Sequence, residues 1–417
     1  MVFRKNLAPD DVFTPRSAEI NPKLYIRRDD LEDELSEALD ETKHLVIFGE
    51  SGNGKSWLYK KVFENLKVTT EVVNLAQASR LGSLDAALKD KIDRLGELRK
   101  QYYELKKTGK LAPGGVGAEA EDLWKYELGK KEPYEDLLTY IQRRAKRKKR
   151  VLIFDNFEQV ASDSKICKQV ADCIILLDDP VYSQYGVKLC IVGVPSGIDE
   201  ILASHGNIQT VSSRLREVPE VERMTHREAR MLLKIGLEDL LRLRIDVDPD
   251  DFYRDVLWVT DRIAVELQEF GLRLAKEAIK SKYGVINDRV YRAALEKWSA
   301  HSLKTFCSAV RMRLNSKNTR VSRRNQCIYA CGSIEKENFD YKDIEDLIRE
   351  EFPETTNGVK LNVSGELSKL SKDDNPILRK RPSDDTYRLA SPKYRMAIRA
   401  LLKKENDGKI AVVPSAN

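Results

Sequence analysis

The residues best placed to do chemistry lie at the end of a short apolar run. His44-Leu-Val-Ile-Phe48 leads straight into Gly49-Glu50-Ser51-Gly52-Asn53-Gly54-Lys55-Ser56. This segment satisfies G-x-x-x-x-G-K-[ST] at every specified position, and the chemistry that spacing serves is the holding of a phosphate chain. Glycines let the backbone curl until successive N–H groups face the negative charge. Lys55 is expected to bridge the β- and γ-phosphates, and Ser56 to offer its hydroxyl to the small octahedral shell of Mg²⁺. The expected ligands are therefore ATP or ADP with Mg²⁺, touched by Gly49 to Ser56 and by Trp57 just beyond.

Such a site also needs a carboxylate at the end of a neighbouring buried strand, to hold the metal's water shell. Val151-Leu-Ile-Phe-Asp155 supplies it. The next residue is Asn156, where many hydrolysing enzymes place a glutamate that orients the attacking water, and Glu158 stands three positions past Asp155. Glu158 either polarises water or is a first-turn helix acid favoured by the macrodipole. Asn156 predicts slow turnover.

These side chains must be held by a parallel strand-loop-helix unit. The run 44–48 has the composition of a strand buried on both faces, and Trp57 to Leu66 continues with helical spacing. Between that helix and Asp155 lies a long interval, with an insert at about residues 84–135. It contains a charged helical stretch, Leu84 to Leu105, and a glycine-rich segment, Gly109 to Gly117, with no lysine in register for a second phosphate loop. Gln142 to Arg150 holds seven basic residues, which either grip an anionic partner or form the solvated end of a helix.

With both motifs placed, residues 20 to 280 resemble the AAA+ ATPases of the origin-recognition initiator group and the related STAND signal-transduction ATPases. Tyr25-Ile-Arg-Arg28-Asp-Asp-Leu-Glu32 is similar to the family's opening motif, whose arginine helps frame the nucleotide base; Arg27 stands where the family has glycine. Asp155-Asn-Phe-Glu158 resembles a variant common among STAND regulators. Lys188 to Ser196 resembles the next strand, whose end implies Ser196 as a γ-phosphate sensor. Val211-Ser-Ser-Arg214-Leu-Arg216, followed by Met224-Thr-His-Arg-Glu-Ala-Arg-Met-Leu-Leu233, resembles the run joining the core to its helical lid. It implies Arg214 as the arginine that reaches a neighbouring subunit's γ-phosphate; from the residues alone, Arg214 pairs equally well with surface acids. Trp258 to Ala275 has helical spacing and implies Arg262 as the lid arginine that senses nucleotide, although the family's preceding Gly-x-Pro turn is missing.

The C-terminal third resembles a winged helix. Asn325 to Ile334, Tyr341 to Phe352 and Leu361 to Leu370 are spaced as three helices, Pro376 to Arg381 and Thr386 to Ala390 as the strands of a wing, and Ser391 to Leu402 as a capped helix with proline at its first position. From Lys372 to Lys404 there are ten basic residues against four acidic. Lys369, Lys372, Arg379, Lys380, Arg381 and Arg388 are the candidate phosphate contacts if DNA binds; a protein partner is the other use of such a module.

The expected fold is thus an α/β P-loop NTPase core of AAA+ type with a parallel sheet (residues 23–220). An N-terminal extension (1–22) precedes it, and a helical lid (221–318), a winged-helix domain (319–404) and a tail (405–417) follow. At 417 residues, with 41% hydrophobic and 34% charged side chains, the chain has material for two or three domains. No stretch approaches the roughly 20 apolar residues of a membrane span, and the first residues lack a secretory core, so the expected location is cytoplasmic without membrane contact. The six cysteines lack the paired spacings of a zinc site and are expected as buried thiols. The function these features imply is an ATP-dependent switch that forms homo-oligomers and engages DNA. The alternative is a STAND-like signalling ATPase of antiviral defence acting on a protein effector.

Overall fold

A computed structural model describes residues 7–107, 131–145, 148–194, 211–281, 284–315, 322–372, 375–381, 384–405 and 409–413. Ser196 and the Gly109 to Gly117 segment lie outside the described residues. The chain divides into two compact units: an α/β unit of Ala18–Ile20 and Arg27–Glu222, and a helical unit of Met1–Ser17, Asn21–Ile26 and Arg223–Asn417.

In the α/β unit, α1 (Asp29–Asp40) precedes β1 (His44–Phe48), which runs through the glycine loop into α2 (Lys55–Asn65). Next come β2 (Thr69–Asn74), α3 (Leu75–Leu81), α4 (Leu84–Lys107), α5 (Pro133–Ala145), β3 (Arg150–Asp155), α6 (Ser164–Leu176), β4 (Lys188–Val194) and β5 (Leu215–Glu217). β2 has no apolar run to mark it in the sequence, because only Val72 and Val73 of its six residues are apolar. The sheet order is β2-β3-β4-β1-β5, and every pairing is parallel. Period-two alternation covers both faces. Leu45, Ile47, Val151, Ile153, Cys190 and Val192 meet Leu35, Leu58 and Val62 of α1 and α2. Val46, Leu152, Phe154, Leu189 and Ile191 meet Leu88, Leu137 and Val170 of α4, α5 and α6. Doubly covered strands explain why 44–48 and 151–154 are almost uninterrupted apolar runs.

In the helical unit, the N-terminal stretch with its single turn Pro9–Val12 is followed, after the α/β unit, by α7 (His226–Lys234). The Thr225-His-Arg-Glu228 of the lid resemblance is physically a capping box: Thr225 Oγ1 accepts the Glu228 N–H at 3.2 Å, and Glu228 Oε2 accepts the Thr225 N–H at 2.8 Å. A π-helical turn, Ile235–Leu240, follows. Then come α8 (Pro249–Val259), α9 (Ala264–Lys280), α10 (Asp288–Ser302) and α11 (Lys304–Arg313). The run Trp258 to Ala275, expected as one helix, is broken. Asp261 and Arg262 both take left-handed backbone, φ 52° and 55°, which ends α8 and lets α9 restart at Ala264. Left-handed backbone costs a residue with a Cβ about 1–2 kcal/mol, so the surroundings must enforce it.

The remainder forms α12 (Arg323–Ser333), α13 (Tyr341–Glu351), α14 (Val363–Lys372), an antiparallel hairpin of β6 (Leu378–Lys380) and β7 (Tyr387–Leu389), and α15 (Pro392–Leu401). Ile410–Val412 pairs back on Leu402–Lys404. One continuous core joins Leu267, Phe270 and Trp298 to Cys327, Ile348, Leu367 and Ile398. The N-terminal stretch belongs to the same core: Phe13 is buried against α9 and the π-turn, where a Cβ on Gly271 would stand 2.6 Å from its ring and one on Gly236 would also collide with it. Among the described residues all six cysteines are buried and free.

Candidate phosphate-binding site

The loop's curvature is written in its glycines. Gly49, Gly52 and Gly54 have φ of 128°, 93° and 97°, where a Cβ is disfavoured. Gly49 is doubly constrained, since a Cβ there would lie 2.5 Å from the Val221 carbonyl oxygen. That carbonyl also accepts the buried Asn53 Nδ2 at 2.9 Å, and the Val221 N–H donates to the Phe48 carbonyl. Segment 218–221 therefore braces the loop from behind. Arg28, capping α1, donates to the carbonyls of Glu222 at 3.0 Å and Asn53 at 3.4 Å, which seats it against the same loop. Glu50 and Trp57 are half-buried, and Ser51 is exposed.

Lys55 Nζ donates to the carbonyls of Gly49 (2.7 Å) and Glu50 (2.9 Å). Burial lowers its pKa, against the opposing fields of Glu158, Asp155, Glu50 and Glu220. Ser56 and Tyr59, three residues apart on one face of α2, both address Asp155 Oδ2, at 3.4 Å and 3.0 Å. The hydroxyl and carboxylate oxygens of Ser56 and Asp155 suit a hard divalent cation. Among the described residues there is no cluster of three or more His, Cys, Asp and Glu, so a cation here would draw its remaining ligands from water and phosphate.

Asn156 is left-handed, φ 63°, and its Nδ2 donates to Asn74 Oδ1 at 2.9 Å. Glu158 lies in the 3₁₀ turn Phe157–Gln159. The residue is exposed, but its carboxyl lies down over Gly193, where any Cβ would collide with Oε2 and come within 3.0 Å of the Phe157 amide. Desolvation raises its pKa, with Lys55 pulling the other way and Asp155 adding to the rise. Lys55, Ser56, Asp155 and Glu158 thus converge at the C-terminal ends of β1 and β3.

Arg214 lies elsewhere. Its carbonyl accepts the His44 N–H at the start of β1, the end of the sheet opposite the loop, and its Nε pairs with Asp178 at 2.5 Å. Arg262 belongs to the helical unit, where it contacts the ring of His226 at 2.8 Å; its Nε is buried without a partner among the described residues. In the basic tract, Arg144 pairs with Glu71, Lys149 with Asp40, and Arg150 donates to the Tyr185 carbonyl, while Lys146 and Arg147 lie outside the described residues. Of the C-terminal basic excess, Arg395 and Arg399 are buried, so the residue count overstates the charge presented to solvent.

Tyr59, Asn74 and Gly193 were missed by the sequence reading. Gly193 carried a signal, a glycine inside an apolar strand, which marks a close approach; Tyr59 carried only its helical spacing from Ser56.

Residues 39–202 match the family model of the AAA domain. No curated protein matches the chain significantly. Among solved structures, a Walker-type ATPase of Pyrococcus abyssi aligns with a TM-score of 0.52 at 16% identity, over 90% of this chain and 96% of that one. The ORC1 protein of Aeropyrum pernix in complex with DNA gives 0.47 at 16% identity over 94% of each chain. CDC6P of Pyrobaculum aerophilum gives 0.44 at 13% identity, over 94% of this chain and 97% of its own. With five parallel strands in the order β2-β3-β4-β1-β5, the glycine loop after β1 and the carboxylate after β3, the fold is that of an AAA+ P-loop NTPase.

Proposed function

We propose that the chain is a nucleotide-gated switch ATPase. It binds ATP with Mg²⁺, hydrolyses it slowly, forms homo-oligomers in the nucleotide-bound state and engages duplex DNA through a C-terminal winged helix. The observation that carries this reading is the pairing of a complete phosphate grip, Lys55, Ser56 and Asp155, with an Asn156 turned into a hydrogen bond with Asn74. On binding, triphosphate oxygens replace the Gly49 and Glu50 carbonyls as partners of Lys55. Glu158 is then the carboxylate that polarises water, and a partly desolvated acid is suited to that task at neutral pH. Arg214 acts across a subunit boundary, consistent with its place at the far end of the sheet; Ser196 senses the γ-phosphate, and Arg262 is the lid arginine that senses nucleotide. α14 enters the major groove, with β6 and β7 as the wing. Lys369, Lys380 and Arg381 pair with Glu366, Asp385 and Asp384; all three cations are open to solvent, and pairs of this kind are of small worth and readily replaced by phosphates.

Those same pairs favour a second reading, a STAND-like defence ATPase acting on a protein effector, because half of the candidate wing and helix cations are already neutralised. Light scattering on the full chain, with ADP or a non-hydrolysable ATP analogue and with or without duplex DNA, separates the two. The DNA reading expects nucleotide-dependent assembly and binding that weakens steeply with salt. Binding unchanged by reversing Arg379, Lys380 and Arg381 to Glu rejects it in favour of the effector. Lys55→Ala is expected to abolish ATP binding and Asp155→Asn to retain nucleotide while losing Mg²⁺-dependent turnover. Wild-type ATP affinity in Lys55→Ala rejects the site.

A further inference from the structure

Asp261 stands in the left-handed break between α8 and α9, next to Arg262, and is 3% exposed. Three arginines surround its carboxylate. Arg223 reaches Oδ1 at 2.7 Å, Arg399 reaches Oδ1 at 3.0 Å, and Arg395 reaches Oδ2 at 2.9 Å. Arg395 and Arg399 come from α15, one turn apart. Each arginine is itself held. Arg399 donates to the carbonyls of Gly332 and Trp258, both at 2.7 Å, and stacks 3.7 Å from the Trp258 ring centroid. Arg395 donates to the Lys336 carbonyl at 3.2 Å, and Arg223 to that of Glu335 at 2.9 Å. Glu337 closes the outer side, accepting from Arg223 at 3.1 Å and Arg395 at 3.4 Å.

A buried ion cluster of this kind is a poor source of stability, since apolar packing of equal volume does as well, but it tolerates few geometries. Burial on its own would raise the Asp261 pKa, yet Arg395, Arg399 and Arg223 together hold it below the ordinary range. The carboxylate therefore stays charged, and the cluster stays intact, at neutral pH. Its geometry fixes the backbone that carries Arg262. The Arg262 N–H donates to the Leu257 carbonyl at 3.3 Å and its own carbonyl accepts the Met224 N–H at 3.0 Å, so the turn has one conformation to offer.

We propose that Asp261 is a positioning residue that ties the presentation of Arg262 to the seating of α15. The grip of Arg395 and Arg399 on Asp261 holds the left-handed turn, and a shift of the last helix therefore re-aims Arg262. This rests on the reading of Arg262 as a nucleotide-sensing arginine. It makes the C-terminal module and the nucleotide state two ends of one linkage, so that whatever re-seats α15 changes nucleotide preference, and nucleotide in turn biases α15.

The test uses the full chain and the ratio of affinities for a fluorescent ATP and a fluorescent ADP, each with Mg²⁺. Arg262→Ala is expected to change that ratio about tenfold, and Asp261→Asn at least fivefold in the same direction. The double variant should be no worse than Arg262→Ala alone, a non-additivity that a merely structural role would not produce. Arg223→Gln, at the least buried of the three arginines, keeps the test alive if Asp261→Asn does not fold, and should shift the ratio about two- to threefold. An altered ratio in Arg262→Ala beside an unchanged one in folded Asp261→Asn or Arg223→Gln overturns the proposal alone. An unchanged ratio in Arg262→Ala overturns the sensor reading and the proposal with it.

Discussion

At the scale of single residues, Glu158 has two readings that one glycine can separate. Gly193 has φ 96° and its missing Cβ leaves room for the Glu158 carboxyl. Gly193→Ala should therefore cost about 1–3 kcal/mol in strain and push that carboxyl aside. If Glu158 polarises water, Mg²⁺-dependent turnover falls about tenfold or more while ATP affinity is kept. Turnover that stays at the wild-type level reduces Glu158 to a first-turn acid. Tyr59→Phe addresses the other carboxylate. It deletes the 3.0 Å hydrogen bond to Asp155 with little change of volume, and should cost about 1 kcal/mol of stability. Its signature is a raised Mg²⁺ requirement for turnover, because Asp155 loses the donor that orients it. An unaltered Mg²⁺ titration would leave Tyr59 a packing residue.

At the scale of elements, the start of β1 carries a pH-sensitive joint. His44 Nδ1 accepts the Leu189 N–H of β4 at 3.2 Å, a bond open only to the neutral ring, and burial lowers its pKa to about 4 from 6.5. The folded state thus binds the proton less readily than the unfolded chain does. The stabilisation is complete above pH 6.5 and is lost as pH falls toward 4, with about 2 kcal/mol gone by pH 5. Urea midpoints at pH 7 and pH 5 should show this loss, and His44→Gln should remove that part of it. The elements were also where the sequence was most and least legible. β1, β3 and the loop could be placed because doubly buried strands are apolar without interruption and the glycines have a fixed spacing. β2 was hidden because its edge position leaves Thr69, Thr70 and Asn74 polar. The break at Asp261 was hidden because Trp258 to Ala275 keeps a helical period across it; nothing local announces a left-handed turn that three distant arginines enforce.

At the scale of the whole molecule, the first residues of the chain complete a core built from its second half. Phe13 is 1% exposed against Gly236 and Gly271, Arg16 pairs with Glu269 at 2.8 Å, and Lys276 pairs with Asp10 at 2.7 Å. Phe13→Ala should cost about 3–5 kcal/mol, since the pocket is walled by helix backbone and cannot collapse. Gly271→Ala should destabilise as well, by forcing the ring out. Calorimetry should place both losses in the unfolding of the helical unit; an unshifted transition in Phe13→Ala would show the contact to be dispensable.

The same contact sets an order of events during synthesis. The Thr14 N–H donates to Gln268 Oε1, a partner 254 residues downstream. At roughly 5–20 residues per second the ribosome delivers that partner about ten seconds to a minute after Thr14 itself emerges. Only in the last few seconds of that interval, after residue 222 has been made, is the α/β unit complete and free to close before Thr14 finds its partner. Phe13 is thus made well over two hundred residues before the helix backbone that buries it, and stays exposed until α9 has been delivered.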